Sequence, residues 1–171
     1  MKKPNTKKLV LTALFTALTM VATLMIRIPL PLGYVNLGDA FILLGVFVLG
    51  PVYGGIAAGM GAGLADLFGY PLYAPATFVI KAGMAVAAWF VYKLLAKATK
   101  KEMLAQSVGG VCGALVMAVG YFLYEILLFT TVGVAIVNVP WNLLQGVVGT
   151  VLAVAVMKVL RATKVLERIQ Q

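Results

Sequence analysis

The sequence predicts an all-α integral membrane protein with six transmembrane helices and with both the N-terminus and the C-terminus in the cytoplasm. Of its 171 residues, 63% are hydrophobic, and the mean hydropathy is +1.04. Soluble domains contain only about 45–50% apolar residues. The apolar residues form runs that are separated by Gly, Pro and Lys, and we expect residues 1–171 to make one transmembrane domain.

Six apolar runs are candidate spans, because about 20 apolar residues cross the hydrocarbon core of a membrane. The first run follows N-terminal lysines but has no small-residue cleavage site after it, so we interpret it as an uncleaved span. The second run is short for a crossing, and Gly50-Pro51 after it predicts a turn. The predicted spans are 9–26, 37–49, 52–68, 75–92, 105–129 and 139–157.

The later spans also have recognisable features. In the third span, Gly55, Gly59 and Gly63 repeat every fourth residue and so share one helix face, which predicts close packing against another helix. The sequence Gly69-Tyr70-Pro71 separates this span from the fourth. Pro140 suits the first turn of the sixth helix, where a missing backbone N–H is tolerated.

The positions of the cations predict the orientation. Of 14 Lys and Arg residues, twelve precede the first span, lie between the fourth and fifth spans, or follow the sixth span. With six spans, these three places face the same side, which the positive-inside rule makes cytoplasmic. The net charge of +9 therefore indicates anchoring against anionic membrane lipid rather than nucleic-acid binding.

The sequence also lacks the residues that most catalytic sites need. It contains no histidine, no Cys-His or Ser-His pair, no carboxylate cluster of the metal-site type and no phosphate-binding loop. We therefore predict that the protein is not an enzyme and that it holds no resident metal or cofactor.

Polar side chains are predicted to gather at the outer ends of the second to sixth spans. An ionisable group at membrane depth is costly and commonly marks a substrate or ion site. Aromatic rings would stack on a small flat ligand, while amides and carboxylates would bind its polar groups. The candidate binding residues are Asp39, Asp66, Lys81, Tyr121, Glu125, Trp141, Asn142 and Gln145.

Several of these polar residues also have a purely structural interpretation. Asp39 and Asn138 could each cap the N-terminus of a helix. Asp66 and Lys81 could form a structural ion pair. Trp141 could belong to the aromatic belt at the membrane interface. The sequence alone leaves these alternatives open.

Four motifs in the first half of the chain resemble a known family. They are Tyr34-Val-Asn-Leu-Gly-Asp-Ala-Phe, Leu49-Gly-Pro-Val-Tyr-Gly-Gly, Leu64-Ala-Asp and Tyr73-Ala-Pro-Ala-Thr-Phe-Val-Ile-Lys-Ala-Gly. These motifs are similar to those of the substrate-binding S components of energy-coupling factor (ECF) vitamin transporters. The predicted six-span size and the lysine-rich ends fit that family as well.

This resemblance implies a binding and transport subunit without an ATPase of its own, in the cytoplasmic membrane of a prokaryote. Such proteins capture a vitamin or its precursor at the outer face and act with a transmembrane T subunit and two cytoplasmic ATPase subunits. Ala13 and Ala17 lie one helical turn apart in the first span. By themselves they fit an internal contact equally well, but the resemblance makes them the docking patch for the T subunit.

The resemblance also suggests a ligand class. The loop from Pro29 to Gly38 would close over the pocket. The Asn-Leu-Gly-Asp and Ala-Thr-Phe-Val-Ile-Lys segments are similar to the branch for riboflavin, pyrimidine and pyridoxine-type ligands. We expect a small heteroaromatic ring, with pyridoxine or hydroxymethylpyrimidine first and riboflavin close behind.

The alternative is a stand-alone secondary transporter or channel in which Asp66 and Lys81 act as a proton or ion relay. This alternative is disfavoured because the sequence shows no clear inverted repeat, a feature of many secondary transporters.

Overall fold

A computed structural model of the protein describes residues 6–29, 34–129 and 132–170. Almost all of these residues are helical, and one short hairpin connects the first two helices. The elements are α1 (Thr6–Met25), β1 (Arg27–Pro29), β2 (Tyr34–Asn36), α2 (Gly38–Leu49), α3 (Pro51–Gly69), α4 (Ala74–Thr99), α5 (Glu102–Phe129), α6 (Val132–Ile136), α7 (Val139–Ala162) and α8 (Val165–Gln170).

The helices fit the predicted class of an apolar helical membrane protein. Within the described residues, α1, α4, α5 and α7 are each long and apolar enough to cross a membrane, and α2 is a shorter apolar helix. The number of six crossings and the side on which the termini lie remain predictions. Helices α4, α5 and α7 are longer than the predicted spans, because the helical backbone continues into the lysine-rich segments.

Helix α2 is short, with 12 residues, and it is buried inside the bundle. Its side chains from Ile42 to Leu49 are all buried, and they form much of the hydrophobic core with residues of α3, α4 and α7. Gly50, at φ +86°, then turns the chain directly into α3. That conformation suits glycine, and Pro51 provides a suitable first residue for the next helix.

The glycine face of α3 packs against α4, as the four-residue repeat predicted. A Cβ atom on Gly59 would lie 2.7 Å from the backbone oxygen of Phe78, and one on Gly63 would lie 3.3 Å from the Phe78 side chain. At Gly55 the nearest atom would be a Val86 methyl group at 3.1 Å. A larger residue at Gly59 would therefore push the two helices apart.

The hairpin is the one described part of the chain that the all-α prediction missed. Strands β1 and β2 pair in antiparallel fashion, with Arg27 opposite Asn36 and Pro29 opposite Tyr34. Pro29 has no backbone N–H to donate to the Met25 carbonyl, so it cannot continue α1, and the chain is extended in β1. The hairpin includes both described ends of the predicted closing loop, whereas residues 30–33 lie outside the described residues.

Candidate substrate-binding site

A cavity with an empty volume of about 530 Å³, including the open solvent at its mouth, lies where the ends of α3, α4, α5 and α7 meet β2. The lining residues are Thr23, Tyr34, Asn36, Ala62, Asp66, Tyr70, Tyr73, Thr77, Lys81, Tyr121, Glu125, Asn138, Asn142 and Gln145. The lysine-rich segment between α4 and α5 lies at the opposite ends of those two helices.

The structure brings most of the predicted site residues to this cavity. Six of the eight candidates line it, namely Asp66, Lys81, Tyr121, Glu125, Asn142 and Gln145. Thr77 was missed, although it precedes Lys81 by four residues and so lies on the same helix face. Thr23, Asn36 and Ala62 were also missed, and their spacing in the sequence gave no signal.

Two predicted residues do not line the cavity. Asp39 is fully buried beneath it, where its carboxylate pairs with Lys81. Trp141 lies one residue before Asn142, which rotates it by about 100° around α7, and its side chain is 43% exposed. This exposure fits the aromatic-belt interpretation better than ligand stacking.

Lys81 forms its ion pair with Asp39 and not with Asp66, which corrects the pair considered from the sequence. Both charged groups are buried, since Lys81 is 3% exposed and Asp39 is fully enclosed. Gln145 donates a further hydrogen bond from Nε2 to Asp39 Oδ2 at 2.8 Å. Asp39 lies in the first turn of α2 and does not cap it, because Leu37 is the capping residue and no side chain caps that end.

Asp66 is bound by hydroxyl groups. The Tyr34 hydroxyl donates to Oδ1, and the Thr77 hydroxyl donates to Oδ2 at 2.5 Å. The Thr77 oxygen also lies 3.0 Å from the Tyr121 hydroxyl. Burial raises the pKa of the Tyr34 phenol well above its usual value, and the hydrogen bond to Asp66 raises it further.

Three polar contacts attach the hairpin to the helices around the cavity, and the first of them is the Tyr34–Asp66 hydrogen bond. The Asn36 backbone N–H donates to Gln145 Oε1 at 2.8 Å. The Arg27 guanidinium lies 4.7 Å from the centre of the Tyr34 ring and donates to the Ala65 carbonyl at 3.1 Å. The hairpin is thus bound to α3 and to α7 by different residues.

The other side of the cavity contains Glu125 and Asn138, which are both 2% exposed. Asn138 Nδ2 donates to Glu125 Oε1 at 3.0 Å. Asn138 occupies the N-cap position of α7, but its side chain makes no capping hydrogen bond. The capping interpretation was therefore wrong, because the carboxamide is directed towards the glutamate.

Tyrosine rings form the remaining wall. Measured between centroids, the Tyr73 ring lies 6.5 Å from Tyr70 and 6.5 Å from Tyr121, which also line the cavity. Tyr124 packs behind this wall, 5.6 Å from the Tyr73 ring. The Tyr34 and Tyr70 rings are 5.1 Å apart. Such a group of rings offers apolar faces and hydroxyl edges to a flat ligand.

A family model for the S component of ECF-type riboflavin transporters matches residues 3–162. The chain belongs to this family. It is therefore a membrane-embedded substrate-binding subunit of the vitamin-transporter class, and the resemblance seen in its sequence motifs is confirmed.

One relative is similar in sequence, and two solved structures share the fold. The chain is 36% identical over 137 residues to a protein from Pyrococcus woesei that is described as an uncharacterized protein in the gap 3′ region. The alignment covers 77% of this chain and 86% of that protein. The S component of a bacterial ECF transporter superposes with a TM-score of 0.71 at 24% identity, covering 92% of this chain and 97% of that one. A biotin S component superposes with a TM-score of 0.53 at 19% identity, covering 92% and 94%.

Proposed function

We propose that this S component captures a small heteroaromatic vitamin in the cavity and delivers it across the cytoplasmic membrane of a prokaryotic cell. Riboflavin is the first candidate. The sequence motifs alone placed pyridoxine or hydroxymethylpyrimidine ahead of it, and the match to the riboflavin family model supports the new order.

The observation that supports this function is the combination of aromatic and polar groups around one cavity. Tyr34, Tyr70, Tyr73 and Tyr121 line it together with the amides of Asn142 and Gln145 and the carboxyl group of Glu125. Aromatic walls favour a flat ring, and a few fixed polar groups select its orientation.

Energy for transport would come from partner proteins. We propose a transmembrane T subunit and two cytoplasmic ATPase subunits, which dock at the patch that contains Ala13 and Ala17. Both alanines are exposed on α1, which is the side-chain placement that such a patch needs.

The test is a binding titration with ligand-free protein in detergent. Riboflavin, pyridoxine, hydroxymethylpyrimidine and biotin would be titrated separately by calorimetry, with no ATP present. We expect one vitamin to bind with a Kd on the order of nanomolar, or about −12 kcal/mol. If none of the four bound below about 10 μM, the proposal would be wrong.

A second measurement separates this function from a stand-alone transporter. Purified protein in liposomes should bind the vitamin but accumulate none of it. Accumulation driven by an ion gradient would support the alternative, even though Lys81 and Asp66, its proposed relay, form no ion pair with each other.

A further inference from the structure

Helix α4 continues well past the turn that joins α2 and α3, at the end of the bundle away from the cavity. A Cβ atom on Gly50, in that turn, would lie 4.0 Å from Trp89 Nε1, so α2 and α3 meet beside Trp89. From there α4 continues to Thr99, which is about 15 Å further at about 1.5 Å per residue. The last turns of α4, which carry Lys93 and Lys97, therefore project past the first turn of α3.

Lys93 lies at the base of this projecting part, next to two aromatic rings. Its Nζ atom is 5.0 Å from the centre of the Tyr92 ring and 5.9 Å from that of the Trp89 ring. The side chain is exposed, and no carboxylate of the described residues forms an ion pair with it. Its positive charge is thus available to an anion from outside the chain.

Trp89 offers a hydrogen-bond donor beside this charge. Its ring packs edge-on against Phe90, with 5.1 Å between the centroids. In the part of the chain that the structure describes, the indole N–H of Trp89 donates to no acceptor. Trp89 and Lys93 are four residues apart, so the donor and the cation lie on the same face of α4.

An apolar surface adjoins these two polar groups. Val52, Ile56 and Met60 are exposed and repeat every fourth residue, so they form one stripe along α3. The stripe borders the glycine face that packs against α4, and Phe90 is exposed on α4 itself. A cation and an N–H donor therefore lie at the lysine-rich end of an apolar surface that α3 and α4 form together.

This arrangement matches the chemistry of a phospholipid, which has a phosphate diester at the membrane surface and acyl chains beneath it. We propose that the α3–α4 surface binds one anionic phospholipid, with its phosphate at Trp89 Nε1 and Lys93 and its acyl chains along Val52 and Ile56. A net negative headgroup complements Lys93 and, one turn further out, Lys97. A soluble phosphate would gain nothing from the apolar stripe, so the occupant is the lipid.

The test is native mass spectrometry of the full-length protein in detergent, with lipid titrated in. Phosphatidylglycerol, which is anionic, is compared with phosphatidylcholine of identical acyl chains, which has the same phosphate but no net charge. A lysine near the membrane surface favours anionic lipid by about fivefold. Wild-type protein should therefore bind one phosphatidylglycerol at least about fivefold more tightly than phosphatidylcholine, and it should not bind soluble glycerol phosphate.

Substitutions at the two polar groups should have different effects. Lys93→Gln should weaken phosphatidylglycerol binding about fivefold and remove most of the preference, and Lys93→Arg should keep it. Trp89→Phe should weaken both lipids about 2- to 10-fold and keep the preference, because both lipids have the phosphate that accepts the N–H.

Matched controls lie elsewhere on the helices. Lys158→Gln removes an exposed lysine from the same end of the bundle but from α7, and Trp141→Phe removes the indole N–H of the other tryptophan, at the opposite end. Both variants should bind the two lipids as the wild type does. Lys93 is exposed, so its substitution leaves the core intact, and this comparison decides the proposal even if Trp89→Phe does not fold.

Three results would overturn the proposal. Equal binding of the two lipids by wild-type protein, or equal losses in Lys93→Gln and Lys158→Gln, would show that no local site selects the headgroup. Glycerol phosphate binding as tightly as the lipid would assign the polar groups to a soluble anion. If Lys93→Gln and Trp89→Phe bound both lipids normally but no longer co-purified with the proposed T subunit, this surface would be a protein contact instead.

Discussion

Gln145 joins the hairpin to the buried ion pair, because its two amide atoms bind in opposite directions. Oε1 accepts from the Asn36 backbone N–H at 2.8 Å, and Nε2 donates to Asp39 Oδ2 at 2.8 Å. The same side chain lines the cavity. A residue that was predicted only as a ligand contact therefore also holds strand β2 against α7.

Replacing Gln145 with leucine should release the hairpin. The substitution keeps a similar volume but leaves the Asn36 N–H and one oxygen of Asp39 without partners, at a cost of about 1–3 kcal/mol each. Hydrogen exchange followed by mass spectrometry should show faster exchange in residues 34–38 than in the wild type. Asn142→Leu, on the same helix, is the control because no side-chain hydrogen bond of Asn142 holds the hairpin. Equal exchange in the two variants would contradict the role of Gln145.

The buried ion pair gives a second prediction. Lys81→Met should destabilise the protein by about 3–5 kcal/mol, because the carboxylate of Asp39 would remain buried without its cation. Thermal unfolding in detergent measures the loss.

Adding Asp39→Asn to Lys81→Met should recover much of the lost stability, since the uncompensated charge is then absent. The pair is a structural unit in this interpretation, so the double variant should still bind the vitamin. If Asp39→Asn destabilised the protein by the same amount whether Lys81 or Met occupied position 81, the two residues would not be coupled.

The sequence predicted the helices well because long apolar runs and their Gly, Pro and Lys boundaries are local signals. It also placed Glu125 and Gln145 at one site, since both lie inside apolar runs near the same end of the bundle. The sequence could not identify which aspartate pairs with Lys81. Asp39 and Asp66 are both predicted near the outer ends of their spans, and the choice between them depends on how each helix is rotated about its axis. The hairpin was missed because each of its strands has only three residues, too few for an alternating pattern, and because it is attached by long-range contacts with α3 and α7.

Alkaline pH should weaken the hairpin through Tyr34. Its pKa is raised in the folded protein, mainly by burial and then by the Asp66 hydrogen bond, while the nearby Arg27 acts in the opposite direction. A group whose folded pKa is raised contributes its full stability below the unfolded value, which is about 10 for tyrosine, and loses it as the pH rises towards the folded pKa.

The measurement is hydrogen exchange in residues 34–38 between pH 8 and pH 11, corrected for the intrinsic pH dependence of exchange. Protection should fall above about pH 10 in the wild type. In Tyr34→Phe protection should be lower throughout and should change less with pH. An identical pH profile in both proteins would assign the change to other tyrosines, among which Tyr73 also has a pKa that burial raises.

The docking patch gives a prediction that is independent of the ligand. Ala13 and Ala17 are exposed on one face of α1, so a leucine at position 17 can be accommodated without disturbing the core. In lipid, close approach of two helices depends on small residues at the contact. Ala17→Leu should therefore bind the vitamin as the wild type does, yet fail to co-purify with the T subunit and its ATPases when all are co-expressed.

Ala155→Leu is the matched control, because Ala155 is also an exposed alanine on an apolar helix but lies on α7. It should bind the vitamin and assemble with the T subunit normally. If both leucine variants assembled equally well, the T subunit would not contact α1 at Ala17. The isobutyl side chain of leucine cannot enter a close helix–helix interface without separating the two backbones. If both failed, lipid-facing bulk in general would be the cause, and the assignment to Ala13 and Ala17 would be wrong.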